Sequence, residues 1–289
     1  MIVLVVWASA FVAIRTATHS FSPGALAWLR LAVGALVLSP FAFRARQPLP
    51  RGRELALVAI YGLAWFGAYN VALNTAEQHL DPGTSALLVN VAPLLIALGA
   101  GALLGEGFPR RLLVGLAIGL AGVIVISVGS GQHHGDAFGV AMALLAAIVY
   151  SVGVLSQKVA LRTVRAVQAT WLGCVIATVA TLPFAPQAVH QLTQARTGDI
   201  LLVVYLGAFS TGIGFLLWAF ALGRTTAGSL GSTTLAVPAI TVLMSWLLLD
   251  ELPTAAAGIG GAICLIGVSI SAGLIRYSGR RRGRAARRD

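Results

Sequence analysis

The sequence predicts an all-α membrane protein, with ten transmembrane helices arranged as two inverted five-helix repeats around a central cavity. Three observations lead there. Hydrophobic residues make up 58% of the 289 positions and charged residues only 10%, with a mean hydropathy of +0.89. A soluble domain carries about 25% charged residues, and so few charges cannot cover a water-facing surface, which excludes a soluble enzyme. Disorder is excluded as well, because disordered chains are poor in apolar residues and rich in charge. The second observation is a series of apolar runs, each close to the roughly 20 residues that cross a bilayer as a helix. The third is an internal match between the two parts of the chain, separated by 145 residues.

The runs cover 1–18, 24–43, 54–76, 83–104, 110–129, 137–157, 165–184, 199–222, 227–249 and 254–275. The first has no basic segment ahead of its apolar stretch and nine runs follow it, so it reads as a span and not as a signal peptide. Arg44, Arg46, Arg51 and Arg53 close the second run, and the third runs out at Glu77. Glu106, Arg110 and Arg111 part the fourth from the fifth, and a loop with His133 and His134 parts the fifth from the sixth. Lys158, Arg162 and Arg165 follow the sixth, Arg196 the seventh, Arg224 the eighth, and Asp250 with Glu251 the ninth. A tail carrying Arg276, Arg280, Arg281, Arg282, Arg284, Arg287 and Arg288 follows the tenth.

Those charges set the orientation. One side collects seventeen Lys and Arg; the other has Arg196, with Arg15 and Arg30 inside spans near it. Basic loops stay in the cytoplasm, so both termini are expected there, in the cytoplasmic (inner) membrane, with His133 and His134 outside. The tail is expected to meet anionic lipid, at about 1 kcal/mol per basic residue near the surface. With the positive charge gathered behind the last span, nucleic acid is not an expected partner.

Residues 82–127 align with 227–272 without a gap. Pro93 falls on Pro238, Glu106 on Glu251, Gly83 on Gly228, Gly115 on Gly260 and Gly122 on Gly267. The earlier spans align at an offset of 143, where Trp7 meets Tyr150, Arg15 meets Lys158, Trp28 meets Trp171 and Pro40 meets Pro183. The expected division is therefore 1–131, 132–276 and a basic tail, 277–289. Five spans per half is an odd number, so the second half sits upside down, the arrangement that places a substrate site between the halves in secondary transporters.

These residues also carry a resemblance. Trp7-Ala8-Ser9-Ala10-Phe11 with Arg15, Pro23 through Leu29-Arg30, and the Glu106 and Glu251 turns resemble the drug/metabolite transporter superfamily in its EamA-like branch. The resemblance covers essentially the whole chain. It implies ten helices around a central cavity, alternating access, and transport of a small metabolite, often amino-acid export, without fixing the cargo.

Polar groups inside hydrocarbon are costly and mark candidate sites. Asn70, Asn74 and Glu77 share one helical face, with Tyr69 beside them, and would line the cavity or bond between helices. Asn90 with Pro93, and Thr233 and Thr234 with Pro238, interrupt the fourth and ninth spans; broken helices of this kind kink or gate. Trp7, Tyr150 and Trp218 lie inside spans rather than at the interfaces, and are candidates for lining the cavity or for packing, whereas Trp28 and Trp171 read as interface aromatics. Arg30 lies about six residues into the second span, roughly 9 Å deep. Its repeat counterpart is Gly173, so symmetry does not require a cation there.

Other features read as structural. Glu106 and Glu251 are expected to complement the N-terminal dipole of the span that follows each. The glycine faces Gly115-Gly119-Gly122 and Gly260-Gly261-Gly267 suit close helix packing or a homodimer. Two cysteines exclude a disulfide framework, and no metal or cofactor motif is present. An enzyme would need a nucleophile, an acid–base pair or a metal cluster, and no such set lies inside the spans. No span centre offers a carboxylate for a lipophilic cation, and a phosphorylated cargo would want several buried cations. One cation among aromatics best fits an amino acid or similar carboxylate-bearing solute. The alternatives are a carrier of phosphorylated or nucleoside-type metabolites, and a channel or structural membrane subunit.

Overall fold

The computed structural model describes residues 2–17, 19–44, 48–79, 88–129, 137–249 and 254–271, and among them it contains helices and no strand. Helix α1 (Ile2–Ala17) is followed by α2 (Pro23–Arg44), then α3 (Arg53–Tyr61), a π-helical segment (Gly62–Ala68) and α4 (Tyr69–His79). Next come α5 (Ala92–Leu103) and α6 (Arg110–Gly129). Then follow α7 (Ala137–Ala160), α8 (Ala166–Ala180) and α9 (Ala185–Gln194). A second π-helical segment (Leu206–Gly214) joins α10 (Thr197–Tyr205) to α11 (Phe215–Arg224). The chain closes with α12 (Ala227–Thr233), α13 (Val237–Leu249) and α14 (Ala255–Ser271).

Among the described residues, five stretches are long and apolar enough to cross a membrane: Pro23–Arg44, Arg53–Leu73, Ala137–Ala160, Thr197–Arg224 and Ala227–Met244. Leu36, Phe43, Val71, Leu103, Leu201 and Leu247 are exposed on the outside of the bundle, as side chains facing lipid would be. The chain is a multi-pass membrane protein.

The breaks in the fourth and ninth spans fall where the prolines predict. Asn90 and Val91 form a turn, and α5 opens at Ala92 with Pro93 in its first turn; Thr234–Ala236 form a 3₁₀ turn and α13 opens at Val237 with Pro238 in its first turn. Proline belongs there because its missing N–H would have no helical partner anyway.

Two features depart from the sequence reading. The segment after 184 is not a plain connection: the chain bends by 58° at Leu182–Phe184 and continues as α9. Ala188 of α9 is buried in one cluster with Phe21, Ala25 and Leu26, and Gln191 Oε1 accepts the Ser22 N–H at 2.9 Å. Ten residues with one apolar face cannot span a bilayer, so the hydropathy pattern passed over this helix. Glu106 does not serve the helix that follows it. Its two carboxylate oxygens accept the N–H groups of Ala227 (2.8 Å) and Gly228 (3.2 Å), capping α12 in the rear part. Glu251 lies outside the described residues.

The glycine faces pack as the sequence suggests. A Cβ on Gly122 would stand 2.6 Å from the Gly260 carbonyl, and one on Gly267 2.6 Å from the Gly115 carbonyl. Helices α6 and α14 therefore press together backbone to backbone within one chain, the close helix packing expected of these glycines.

The π-helical segments follow a common rule. A Cβ on Gly62 would meet the Gly173 carbonyl at 2.7 Å, and one on Gly207 would meet the Arg30 carbonyl at 3.0 Å. Each segment thus lies on the second helix of the other part. In the sequence alignment Gly62 falls on Gly207 at an offset of 145, and Arg30 on Gly173 at an offset of 143.

Candidate transport site

Where the two parts meet, the interior is aromatic. Trp65, in the first π-helical segment, has ring centroids at 4.8 Å from Tyr150, 4.9 Å from Phe215, 5.7 Å from Trp218 and 6.2 Å from Trp7. Trp7 stands 5.1 Å from both Phe215 and Trp218, Phe66 lies 4.5 Å from Phe215, and Tyr69 lies 5.6 Å from Tyr150. Trp65, Phe66 and Trp218 are buried, while Trp7, Tyr69 and Phe215 are half-buried and form the open edge of the cluster. Centroids this close leave no room for a molecule between the rings, so a cargo would meet the edge. Such offset and edge-to-face pairs fix ring orientation.

The π-helical backbone helps to hold this arrangement. Trp7 Nε1 donates to the Ser210 carbonyl, inside the second π-helical segment, at 3.4 Å. Two residues on, the Ser9 hydroxyl is hydrogen-bonded to the Tyr205 hydroxyl. One α1 face is thereby tied to the helix carrying Phe215 and Trp218. Single π-turns inside helices occur often at functional positions, because the widened turn re-aims side chains and carbonyls.

Of the residues singled out in the sequence, Trp7, Tyr69, Tyr150 and Trp218 converge here. Trp65, Phe66 and Phe215 complete the cluster and were missed. A signal for the segments that carry them was present: Gly62 and Gly67 match Gly207 and Gly212 at the same 145-residue offset.

The polar candidates divide. The Asn70 amide donates to the Phe66 carbonyl in its own helix at 2.7 Å, rather than bonding between helices. Thr233 donates to the Leu230 carbonyl at 2.6 Å and Thr234 to the Gly231 carbonyl at 2.7 Å, so both hydroxyls return to local backbone. Thr234 also stands beside the Tyr150 phenol, which brings the break before α13 to the cluster. Asn90 lies in the turn before α5, and the side chain of Asn74 lies outside the described residues. Trp171 is not simply an interface ring: its Nε1 donates to Ser39 Oγ at 2.9 Å, tying α8 to α2.

The cations separate more sharply. Lys158 Nζ donates to the Leu222 (2.7 Å) and Thr225 (2.6 Å) carbonyls, so its charge closes the C-terminal end of α11. Arg30 is half-buried, forms no hydrogen bond or ion pair with another described residue, and lies within electrostatic reach of the Tyr69 phenol. A guanidinium left this way beside aromatic rings can take a carboxylate through two parallel N–H bonds.

Fold and site together define a helical, multi-pass membrane protein with an aromatic interior and, at its edge, a cation with no hydrogen bond or ion pair among the described residues. The EamA-like transporter family model matches residues 1–128 and again residues 137–273, and the chain belongs to that family of membrane transporters. It is 32% identical to the "Probable terminal-alkyne amino-acid exporter" of Streptantibioticus cattleyicolor, over 93% of this chain and 91% of that protein. It is 28% identical to the "Probable amino-acid metabolite efflux pump" of Escherichia coli, over 96% of this chain and 94% of that protein. A chain of known crystal structure has the same fold, with a TM-score of 0.78 at 23% identity, covering 94% of this chain and 96% of that one.

Proposed function

We propose that the protein is an alternating-access carrier that exports an amino acid or similar carboxylate-bearing solute with an apolar body. Its ten spans form two inverted halves, 1–131 and 132–276, in the cytoplasmic membrane, with both termini inside. The observation that carries the cargo class is Arg30, a guanidinium with no described protein partner, next to Tyr69 at the edge of the aromatic cluster. The carboxylate would bind Arg30 while the apolar body rests on Trp7 and Phe215. Pro93 and Pro238 would act as hinges, since Pro93 stands in the first turn of a helix that follows a turn, and Pro238 in the first turn of one that follows a 3₁₀ turn. The paired contacts of Gly62 with residue 173 and Gly207 with residue 30 support inverted halves, as do the two separate matches to one family model. The names of the two relatives support amino-acid export.

A phosphorylated cargo is disfavoured by one observation. Lys158, which could have supplied a second cation, is spent on helix carbonyls. The test is competition for uptake into proteoliposomes. Phenylalanine and leucine should compete, the matching amines without a carboxylate should not, and sugar phosphates should be inert. Equal competition by amine and amino acid would remove Arg30 from the site.

A further inference from the structure

Several polar atoms deep in the bundle have no hydrogen-bond partner among the described residues, Nε2 and Oε1 of Gln157 and Nε1 of Trp218, and the Tyr61 and Thr170 hydroxyls beside them have at most each other. Gln157 is 0% exposed, so its whole amide is buried unpaired. A group retained for packing alone is normally paired, because an unpaired buried amide destabilises the fold, and Leu would fill the same space without that cost.

Helix packing puts these groups on one level. Trp65 presses on Gly153, where a Cβ would stand 2.7 Å from its own Cβ. Val58 shares a buried cluster with Ala160. Helices α3 and α7 run antiparallel, so Tyr61, between Val58 and Trp65, comes opposite Gln157, between Gly153 and Ala160. The Tyr61 ring also abuts Gly173, and its hydroxyl lies beside that of Thr170, one turn earlier on α8. Trp218 stands 5.7 Å from Trp65, and one turn further along α11 the Leu222 carbonyl holds Lys158. The layer therefore lies between the aromatic cluster and the end of the bundle that carries Arg53, Lys158, Arg162 and Arg165.

We propose that Gln157, Tyr61 and Thr170 form a second polar site on the basic side of the aromatic cluster, which takes up water and then the ammonium or carboxylate head of an amino-acid cargo when the transporter opens toward that end. This rests on the alternating-access reading above. In the conformation described here the layer is closed by Trp65, Trp218 and Tyr61. Its unpaired groups make that closure less stable than an apolar seal, which favours opening, and on opening they gain partners from water. Gln157 offers a carbonyl and an amide together, so it can meet either end of a zwitterion.

The test has one arm that needs no cargo. Gln157→Cys, in a chain with Cys174→Ala and Cys264→Ala, is reconstituted and treated with a small charged thiol reagent from each face of the membrane. The introduced thiol should react at least fivefold faster from the face carrying the basic loops. No reaction from either face, or faster reaction from the opposite one, overturns the proposal. In the second arm, Gln157→Leu should raise the thermal midpoint in detergent by about 2 °C or more. It should also raise the half-saturation concentration for phenylalanine at least fivefold at the basic face and leave the other face unchanged. A lowered midpoint, or equal losses at both faces, assigns Gln157 a purely structural role and overturns the proposal. If the unaltered protein carries no phenylalanine, the cargo reading fails, and the labelling arm still decides this one.

Discussion

Arg30 sits where a charge is expensive and where the repeat supplies only a glycine. Its guanidinium, which forms no hydrogen bond or ion pair with another described residue, is the basis of the first prediction. Arg30→Lys should leave the protein inserted and stable but weaken apparent affinity for a carboxylate cargo tenfold or more, about 1.4 kcal/mol, because an ammonium cannot make the planar, two-bond contact. Arg30→Ala should be worse. Concentration-dependent uptake into liposomes with matched amounts of each variant measures both, and unchanged affinity in Arg30→Lys would leave Arg30 as an anchor that reaches toward the interface. At this scale the sequence was legible where a residue type was out of place. Trp7, Tyr150 and Trp218 stood inside spans, and all three join the cluster. Trp65, Phe66 and Phe215 were not legible, because in a uniformly apolar helix periodicity cannot say which face looks inward. The bonding of Asn70 was not legible for a related reason: whether a side-chain amide crosses to another helix or turns back to its own backbone depends on the local backbone, here the π-helical turn that presents the Phe66 carbonyl.

At the scale of elements, the prolines told the truth about breaks, since each removes a backbone donor and so starts a helix more readily than it continues one. The π-helical segments and α9 stayed hidden, because neither changes the apolar count that defines a span. Glu106 was read as a cap, but for the wrong helix, since sequence order cannot reveal which N-terminus a carboxylate reaches in space. The contact predicts that Glu106→Ala loses about 1 kcal/mol, through exposed N–H groups at Ala227 and Gly228 and a lost charge–dipole term. Thermal unfolding in detergent measures it. Gly122→Ala should cost more, about 1–3 kcal/mol, because the new methyl group would collide with the Gly260 carbonyl and the Cys264 backbone N, which a rotamer change cannot clear. Gly223→Ala, where a Cβ meets nothing, is the matched control.

The whole molecule adds charge distribution and energetics. Seventeen cations on one side predict that a cysteine placed in the C-terminal tail is labelled only from the cytoplasm, and external labelling would invert the assignment. On the ten spans read from the sequence, Glu54, Glu77, Glu106, Asp250 and Glu251 all fall at or near span ends, so no carboxylate is expected to relay protons through the centre. An imposed pH gradient alone should therefore drive no accumulation. The central claim is that this is a carrier which moves a carboxylate-bearing solute through two alternating conformations, and counterflow tests it most directly. Proteoliposomes loaded with unlabelled phenylalanine and diluted into trace labelled phenylalanine should accumulate label transiently above equilibrium, and the overshoot should shrink in Arg30→Lys. Label that only rises to equilibrium, equally in both proteins, would contradict the account and indicate a pore.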